Sequence, residues 1–277
     1  MSPAGALARR FVLGAAVAAG VAAAPCVRAD APLWELGAGI AALRLPHYRG
    51  ADQSRNWLLP IPYLVYRGRI LRADREGARA MLVERERFDV DLSVAAGAPA
   101  DSSANDARRG MPDLDPTLEF GPNANFTLAR GADWTLDARL PLRAVFALGS
   151  SLRQIGWSAA PNVNLDLRWQ GWTLGVQLAA LAGDRRLHET YYGVAPADAT
   201  ATRSAYRARG GRAGWQGTLG ASRREGALWY GAFVRADSLD GAVFEASPLV
   251  RRRHGLSFGV GASWVFAASG VRVSEAR

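Results

Sequence analysis

The sequence predicts an all-β fold, a transmembrane antiparallel up-and-down β-barrel of about 12 strands over residues 30–266. Three observations lead there. Apolar and polar residues alternate with a period of two along nearly the whole chain, the connections divide into short turns and long loops, and aromatic residues gather where strands end.

Length and composition narrow the class first. The chain has 277 residues, 49% of them apolar, with 30 Gly and 9 Trp, which excludes a disordered chain. No apolar run after residue 29 reaches the ~20 residues of a spanning helix, whereas a barrel strand needs only every second residue to be apolar. All 34 basic residues are Arg, against 25 acidic ones.

Residues 1–29 read as a secretory signal peptide: Arg9-Arg10, an apolar stretch from Phe11 to Ala24, then Val27-Arg28-Ala29. Removing these 29 residues from 277 leaves a chain of 248 that starts at Asp30; losing Arg9, Arg10 and Arg28 lowers the net charge from +9 to +6. A lipoprotein signal at Cys26 and a twin-arginine signal are the rival readings. Pro25 suits a lipobox badly, and a barrel must cross the inner membrane unfolded. Cys26 is the one cysteine, so a mature chain has no disulfide and no thiol chemistry.

Strands are expected near 33–43, 57–67, 69–75, 78–85, 87–96, 117–129, 132–146, 153–169, 171–182, 212–223, 226–238 and 255–266. Val163, Leu165, Leu167 and Trp169 alternate with Asn162, Asn164, Asp166 and Arg168, giving one oily and one polar face. Leu256, Phe258, Val260, Ala262, Trp264 and Phe266 alternate in the same way with small residues. On one side the connections are tight, as at Arg67-Gly68-Arg69 and Trp169-Gln170-Gly171; on the other lie long segments near 44–56, 97–116, 183–211 and 239–254. That asymmetry belongs to outer-membrane barrels. Ala267 to Arg277 carries little apolar periodicity and reads as a periplasmic C-terminal tail outside the barrel.

A β-sandwich and a lipocalin-like barrel also alternate. Two features argue against them. Trp34, Trp57, Trp134, Trp169, Trp172, Trp215, Trp264 and Phe266 fall near strand ends, where an interfacial girdle would lie. The polar face carries Glu35, Asp89, Asp91, Glu119, Asp137, Arg139, Arg143, Asp166 and Arg168, charges that a hydrated lumen tolerates and a dry core does not.

The long loops and their flanks hold an ordered series of motifs. Pro46-His47-Tyr48-Arg49-Gly50, Leu59-Pro60-Ile61-Pro62-Tyr63 and Tyr66-Arg67-Gly68 come first. Asn105-Asp106-Ala107-Arg108-Arg109-Gly110-Met111-Pro112-Asp113-Leu114-Asp115 and Glu119-Phe120-Gly121-Pro122 follow. Pro141-Leu142-Arg143, Tyr191-Tyr192-Gly193-Val194, Ser247-Pro248-Leu249-Val250 and Trp264-Val265-Phe266 complete it. In this order and spacing the chain resembles the MipA/OmpV family of Gram-negative outer-membrane proteins. The resemblance implies an outer-membrane barrel and, for the family's namesake, a scaffold linking a murein lytic transglycosylase to a murein synthase. The closing Trp264 and Phe266 resemble the signal read by the outer-membrane assembly machinery.

The candidates for chemistry are few. His254, Ser257, Glu245 and Asp240 supply the residue types of a Ser-His-acid hydrolase, but Arg251-Arg252-Arg253-His254 reads more simply as a solvated loop end. His47 and His188 lack a second ligand at metal spacing. Asp101, Asp106, Asp113 and Asp115 suggest a calcium loop, yet Pro112, Pro116, Arg108 and Arg109 intrude. The preferred reading folds this loop into the barrel mouth, with Arg108 and Arg109 pairing lumen carboxylates. Arg185-Arg186, Arg203-Arg207-Arg209-Arg212 and Arg251-Arg252-Arg253 suit lipopolysaccharide phosphates or solvent better than nucleic acid. No cofactor is expected. The chain thus reads as a non-enzymatic envelope component, structural or scaffolding, with a narrow pore as the alternative.

Overall fold

A computed structural model describes residues 30–74 and 77–274; the expected signal peptide lies outside the described residues. Among the described residues fifteen strands run in chain order: β1 (Asp30–Pro32), β2 (Trp34–Pro46), β3 (Ser54–Arg67), β4 (Leu71–Asp74), β5 (Gly77–Glu84), β6 (Phe88–Gly97), β7 (Thr117–Arg130), β8 (Trp134–Leu148), β9 (Leu152–Ala159), β10 (Asn162–Trp169), β11 (Trp172–Gly183), β12 (Gly211–Glu225), β13 (Leu228–Ser238), β14 (His254–Ala268) and β15 (Arg272–Ser274). Among the described residues one α-helix, α1 (Arg185–Tyr192), sits in the loop between β11 and β12.

The strands from β2 to β14 form one antiparallel sheet that closes on itself. β14 pairs with β2 from Phe258↔Arg44 to Ala268↔Glu35, which joins the last stave to the first. β9 and β10 share one stave: both pair β8 on one side and β11 on the other, so the closed barrel has twelve staves. The expected single strand over 153–169 is therefore interrupted at Ala160-Pro161. Proline has no N–H to give a ladder. The chain compensates there, since Ala160 N donates to the Pro141 carbonyl and the Pro161 carbonyl accepts from Ala180 N.

Alternation sets which face each side chain takes. Leu58 (70% exposed), Leu178 (59%), Leu219 (58%) and Val260 (57%) point outward. Glu35, Asp91, Ser257 and Ser263 point into the lumen and are buried. Trp134, Trp169, Trp264 and Phe266 stand exposed near the short-turn end, as a girdle requires. Trp57 does not join them. It pairs with lumen-facing Leu43, and the Arg55 guanidinium lies 4.4 Å from its ring centroid.

Glycines at two places in the barrel show why the sequence needs them. At the closing seam, a Cβ on Gly39 would lie 2.1 Å from the Ala262 carbonyl oxygen and one on Gly37 would lie 2.4 Å from that of Trp264. The Trp169–Trp172 hairpin turns through Gln170 and Gly171 at φ 48° and 81°, the two left-handed residues of a type I′ turn.

The tail is not loose. Strand β14 continues two residues past Phe266, and β15 pairs with β1 in a separate two-stranded ribbon, Pro32↔Arg272 and Ala31↔Val273. Leu33 N donates to the Val271 carbonyl and Ser269 N to that of Trp34. The barrel ladder thus runs to Ala268, two residues past the expected boundary at Phe266, while Arg272–Ser274 pair outside the barrel sheet; this pairing potential lies in the backbone, which side-chain periodicity does not register.

Candidate functional site

The four long loops meet over one end of the barrel and build the largest apolar cluster of the described residues. Tyr48 and Ala51 come from the loop after β2, Ala100 and Leu114 from that after β6, Tyr192, Val194 and Ala208 from that after β11, and Leu239, Ala242, Phe244 and Leu249 from that after β13. Phe244 and Leu249 are wholly buried. A barrel presents its oily face to lipid, so this loop cap, rather than the sheet, holds the water-shielded core.

Local chemistry explains how each loop reaches the cluster. Asp184 caps α1 by accepting from Leu187 N at 2.9 Å, and the helix then turns His188 and Tyr192, four residues apart, inward together. Tyr192 stacks on Phe244, and its hydroxyl donates to the Arg49 carbonyl at 3.0 Å. Tyr48 donates to the Leu249 carbonyl and Ser247 to the Tyr192 carbonyl, at 2.8 and 2.7 Å. Burial pushes the Tyr48 phenol up to about 12 and holds His188 below the ordinary histidine range, the latter against its bond to the Arg209 carbonyl.

The motif loop after β6 is closed at its base by the bridge Ala100↔Leu114. Ser102 ties it internally, its N–H donating to Asp113 and its hydroxyl to the Pro112 carbonyl. Arg108 is 3% exposed and donates to the carbonyls of Tyr191 (3.2 Å) and Pro112 (3.0 Å) and to the Ser102 hydroxyl (3.1 Å). Arg109 lies at the surface and pairs with Asp106. The expected pairing of these two arginines with lumen carboxylates is thus corrected. Arg108 binds carbonyls, because the loop packs on α1 rather than descending the lumen, and Arg109 faces solvent.

Gly110 adopts φ 83° at the loop tip with nothing near its Cβ position. Met111 and Leu114 join the apolar cluster, whereas Pro112 and Asp113 serve the Ser102 tie. Asp115 lies against Gly149 at the next turn. Asn105 opens the motif in the sequence, but its internal role is visible only in the structure. It is fully buried, accepts from Arg108 N and meets His47 Nδ1 at 3.1 Å. Arg203, grouped by sequence with the basic patches, is also internal, donating to the carbonyls of Ala107, Arg109 and Asp198.

Below the cap the lumen is divided. From β6 to β10 it is charged: Asn125 donates to both Asp89 and Asp91, Ser158 to Glu119, Arg143 to Ser93, and Arg139 lies within 3.8 Å of Asp137 and Asp166. At the short-turn end buried Glu35 takes Arg67 of β3 and Arg224 of β12, so one carboxylate joins two staves across the lumen. A cavity of ≈ 270 Å³ opens there, lined by Arg72, Glu84, Asp133, Asp137, Arg139 and Arg168 among others.

The residues suggested for catalysis are not brought together. His254 Nε2 lies 2.8 Å from Asp240 at the rim, but Ser257 is fully buried on the lumen face and accepts from Arg235. Asp101 accepts from Ser103 N, and Asp113 from Ser102 N, so these carboxylates serve their own loop. Among the described residues no group of three or more His, Cys, Asp or Glu is placed to hold a metal ion.

Solved structures similar to this chain are outer-membrane barrels of low identity. A bacterial polysaccharide outer-membrane secretin aligns at 9% identity and TM-score 0.43, over 84% of this chain and 99% of its own. A COG4313 outer-membrane channel from Pseudomonas putida F1 aligns at 11% and 0.43, over 88% and 99%. The outer-membrane phospholipase A from Escherichia coli aligns at 10% and 0.32, over 85% and 94%. None of these likenesses bears on chemistry. No curated protein matches the chain. The sequence itself is decisive: the family described as MltA-interacting protein MipA matches residues 38–266, from the closing seam to the last aromatic, and the chain belongs to that family of outer-membrane barrels.

Proposed function

We propose that the chain is a non-conducting, non-enzymatic barrel that serves the envelope as a structural or scaffolding component. The observation that carries this reading is the loop cap, in which four loops share one dry apolar cluster and Arg108 is tied to α1. A passage for solute would need that cluster to part. The long loops of such barrels face outward, so the cap lies on the outer side and the ribbon of β1 and β15 on the periplasmic side. The family's description as an MltA-interacting protein supports a murein lytic transglycosylase as partner, met on the periplasmic side. A murein synthase is the second partner that the resemblance suggests.

A narrow pore is the second reading, favoured by the charged residues of the lumen and by the ≈ 270 Å³ vestibule at its short-turn end. Planar-bilayer recording of the refolded chain separates the two. Silence is expected under the first reading; steady unitary steps overturn it. A pull-down with periplasmic murein hydrolases tests the scaffold directly.

A further inference from the structure

The barrel wall is incomplete beside β3. Strand β3 pairs with β2 along its whole length, from Ser54 to Tyr66, but on its other edge, among the described residues, it meets β4 only at Tyr66 and Arg67. The hairpin β4–β5 is too short to do more. On the far side, β6 pairs with β5 no higher than Ser93. Above the hairpin, Ser54–Leu64 of β3 therefore has no strand beside it among the described residues, and the loop after β6 forms the other side of an opening. His47 with Asn105, and Gln53 with Asp106 N, close its top beneath the loop cap.

An open sheet edge in hydrocarbon is costly, because each unpaired backbone group lacks water. The sequence reduces that cost in a specific way. The β2–β3 ladder persists through Pro60 and Pro62, which have no N–H, so these are positions whose backbone groups point away from β2 and into the opening. Between Leu58 and Leu64 the edge consequently offers carbonyl acceptors with two of its donors deleted. The same prolines make it a poor template for another strand, which needs both.

The inner surface next to the opening is apolar as well. Leu59, Ile61 and Tyr63 of β3 face the lumen beside Leu43 and Phe233, and Tyr63 meets Trp229 at 6.1 Å. Leu59 remains 37% exposed there. Apolar surface thus runs from the outward Leu58 through the edge to Ile61 without a charged residue. At the outer margin stand Arg44, bonded to Asn56, and Arg55 over Trp57.

We propose that this opening is a lipid site, in which one acyl chain of lipopolysaccharide passes sideways out of the outer leaflet and lies along Leu59, Ile61 and Tyr63. The choice of lipid follows from the edge. An acceptor-rich edge is satisfied by an occupant that brings donors, and hydroxyacyl and amide-linked chains of lipid A bring O–H and N–H groups, whereas phospholipid chains bring neither. Arg44 and Arg55 at the margin suit its phosphates. The site does not depend on whether the capped lumen conducts.

Photo-crosslinking tests it. In a chain whose one cysteine, Cys26, is replaced by Ala, Ile61→Cys is labelled with benzophenone maleimide, refolded into vesicles of phospholipid with lipopolysaccharide, and irradiated. Leu58→Cys on the outer face and Gln177→Cys on the far lumen wall are the references, and heat-modifiable migration establishes that each variant is folded. Lipopolysaccharide adducts are expected at positions 58 and 61 and not at 177. Leu59→Glu should lower the adduct at 61 at least fivefold and leave that at 58 unchanged. Adducts at 58 alone, phospholipid adducts at 61, or crosslinks between two protein chains would each overturn the proposal.

Discussion

The ring of Tyr192 lies flat on that of Phe244, with centroids 3.7 Å apart and planes 9° from parallel. One ring ends the helix of the β11–β12 loop, and the other belongs to the β13–β14 loop, so this stack fastens the two loops together above the β12–β13 ladder, which ends at Trp215↔Ser238. Replacing Phe244 by Ala should cost the cap about 3–5 kcal/mol, the range for deleting a buried Phe. The staves do not depend on it. Heat-modifiable migration should persist while limited proteolysis begins to cut within 184–210 and 239–253; loops that stay resistant would mean that the stack does not hold the cap.

The cap should also respond to acid. His188 is held below its ordinary pKa by burial first, with Arg49 acting in the same direction and Asp184 and the Arg209 carbonyl against. A base whose folded pKa is depressed stabilises fully above its unfolded value, about 6.5, and that contribution is lost as pH falls through the folded one. Protease resistance of the cap should therefore drop between pH 7 and pH 5. His47 is depressed in the same sense, by burial and then Arg55. The acid effect should shrink in His188→Asn and further in the double variant with His47→Asn; an undiminished drop would place the sensitive group elsewhere.

The wall predicts opposite outcomes for neighbouring residues. Leu165 and Val176 face each other on the outer surface, whereas Gln177 faces the lumen and donates to Asn162. Arg at either outer position should cost about 2–4 kcal/mol, and Gln177→Arg much less. Denaturant titration in vesicles measures both. Equal losses would reverse the assignment of faces.

The closing seam should be intolerant of any side chain at Gly39. A Cβ there lands 2.1 Å from a carbonyl, while one on Gly217 meets nothing within 4 Å. Gly39→Val should abolish heat-modifiable folding and Gly217→Val should preserve it. If both fold, β2 and β14 have room to separate.

Much of this was legible because a barrel strand writes its two environments into alternate residues. Val163 to Trp169 and Leu256 to Phe266 took the faces that their patterns assign. The loops were legible as loops, yet their roles were not. Arg108 looked like a partner for carboxylates, and nothing local says that the carbonyls of Tyr191 and Pro112 would reach it first. Asn105 and Phe244 carry no periodic signal, since their burial arises only when four distant loops converge. The helix α1 could have been read from Asp184 and the spacing of His188 and Tyr192, but eight residues give a weak period.

The end of the chain gives the last test. Sequence alone expects truncation after Phe266 to be harmless, because Ala267 to Arg277 has no pattern of its own. Its backbone, however, holds the first strand in place: Ala267 and Ala268 extend the β14–β2 ladder, Ser269 and Val271 bond to Trp34 and Leu33, and β15 pairs with β1. Against it works a second tether, since Arg67 donates from its backbone to Leu33 and from its side chain to Pro32. Each backbone bond contributes a net ~0.5–1.5 kcal/mol, so losing this group should cost about 2–4 kcal/mol without preventing closure, which rests on the remaining pairs down to Phe258↔Arg44. Truncation after Phe266 should hence lower the denaturation midpoint yet leave a heat-modifiable barrel. Adding Arg67→Ala removes the side-chain half of the second tether, together with the Arg67–Glu35 pair, and should lower it further. Trp264→Asp with Phe266→Asp, which places charge in the exposed aromatic girdle, should leave no folded band at all. A truncated chain as stable as the full one would show that the ribbon of β1 and β15 contributes nothing to the barrel it adjoins.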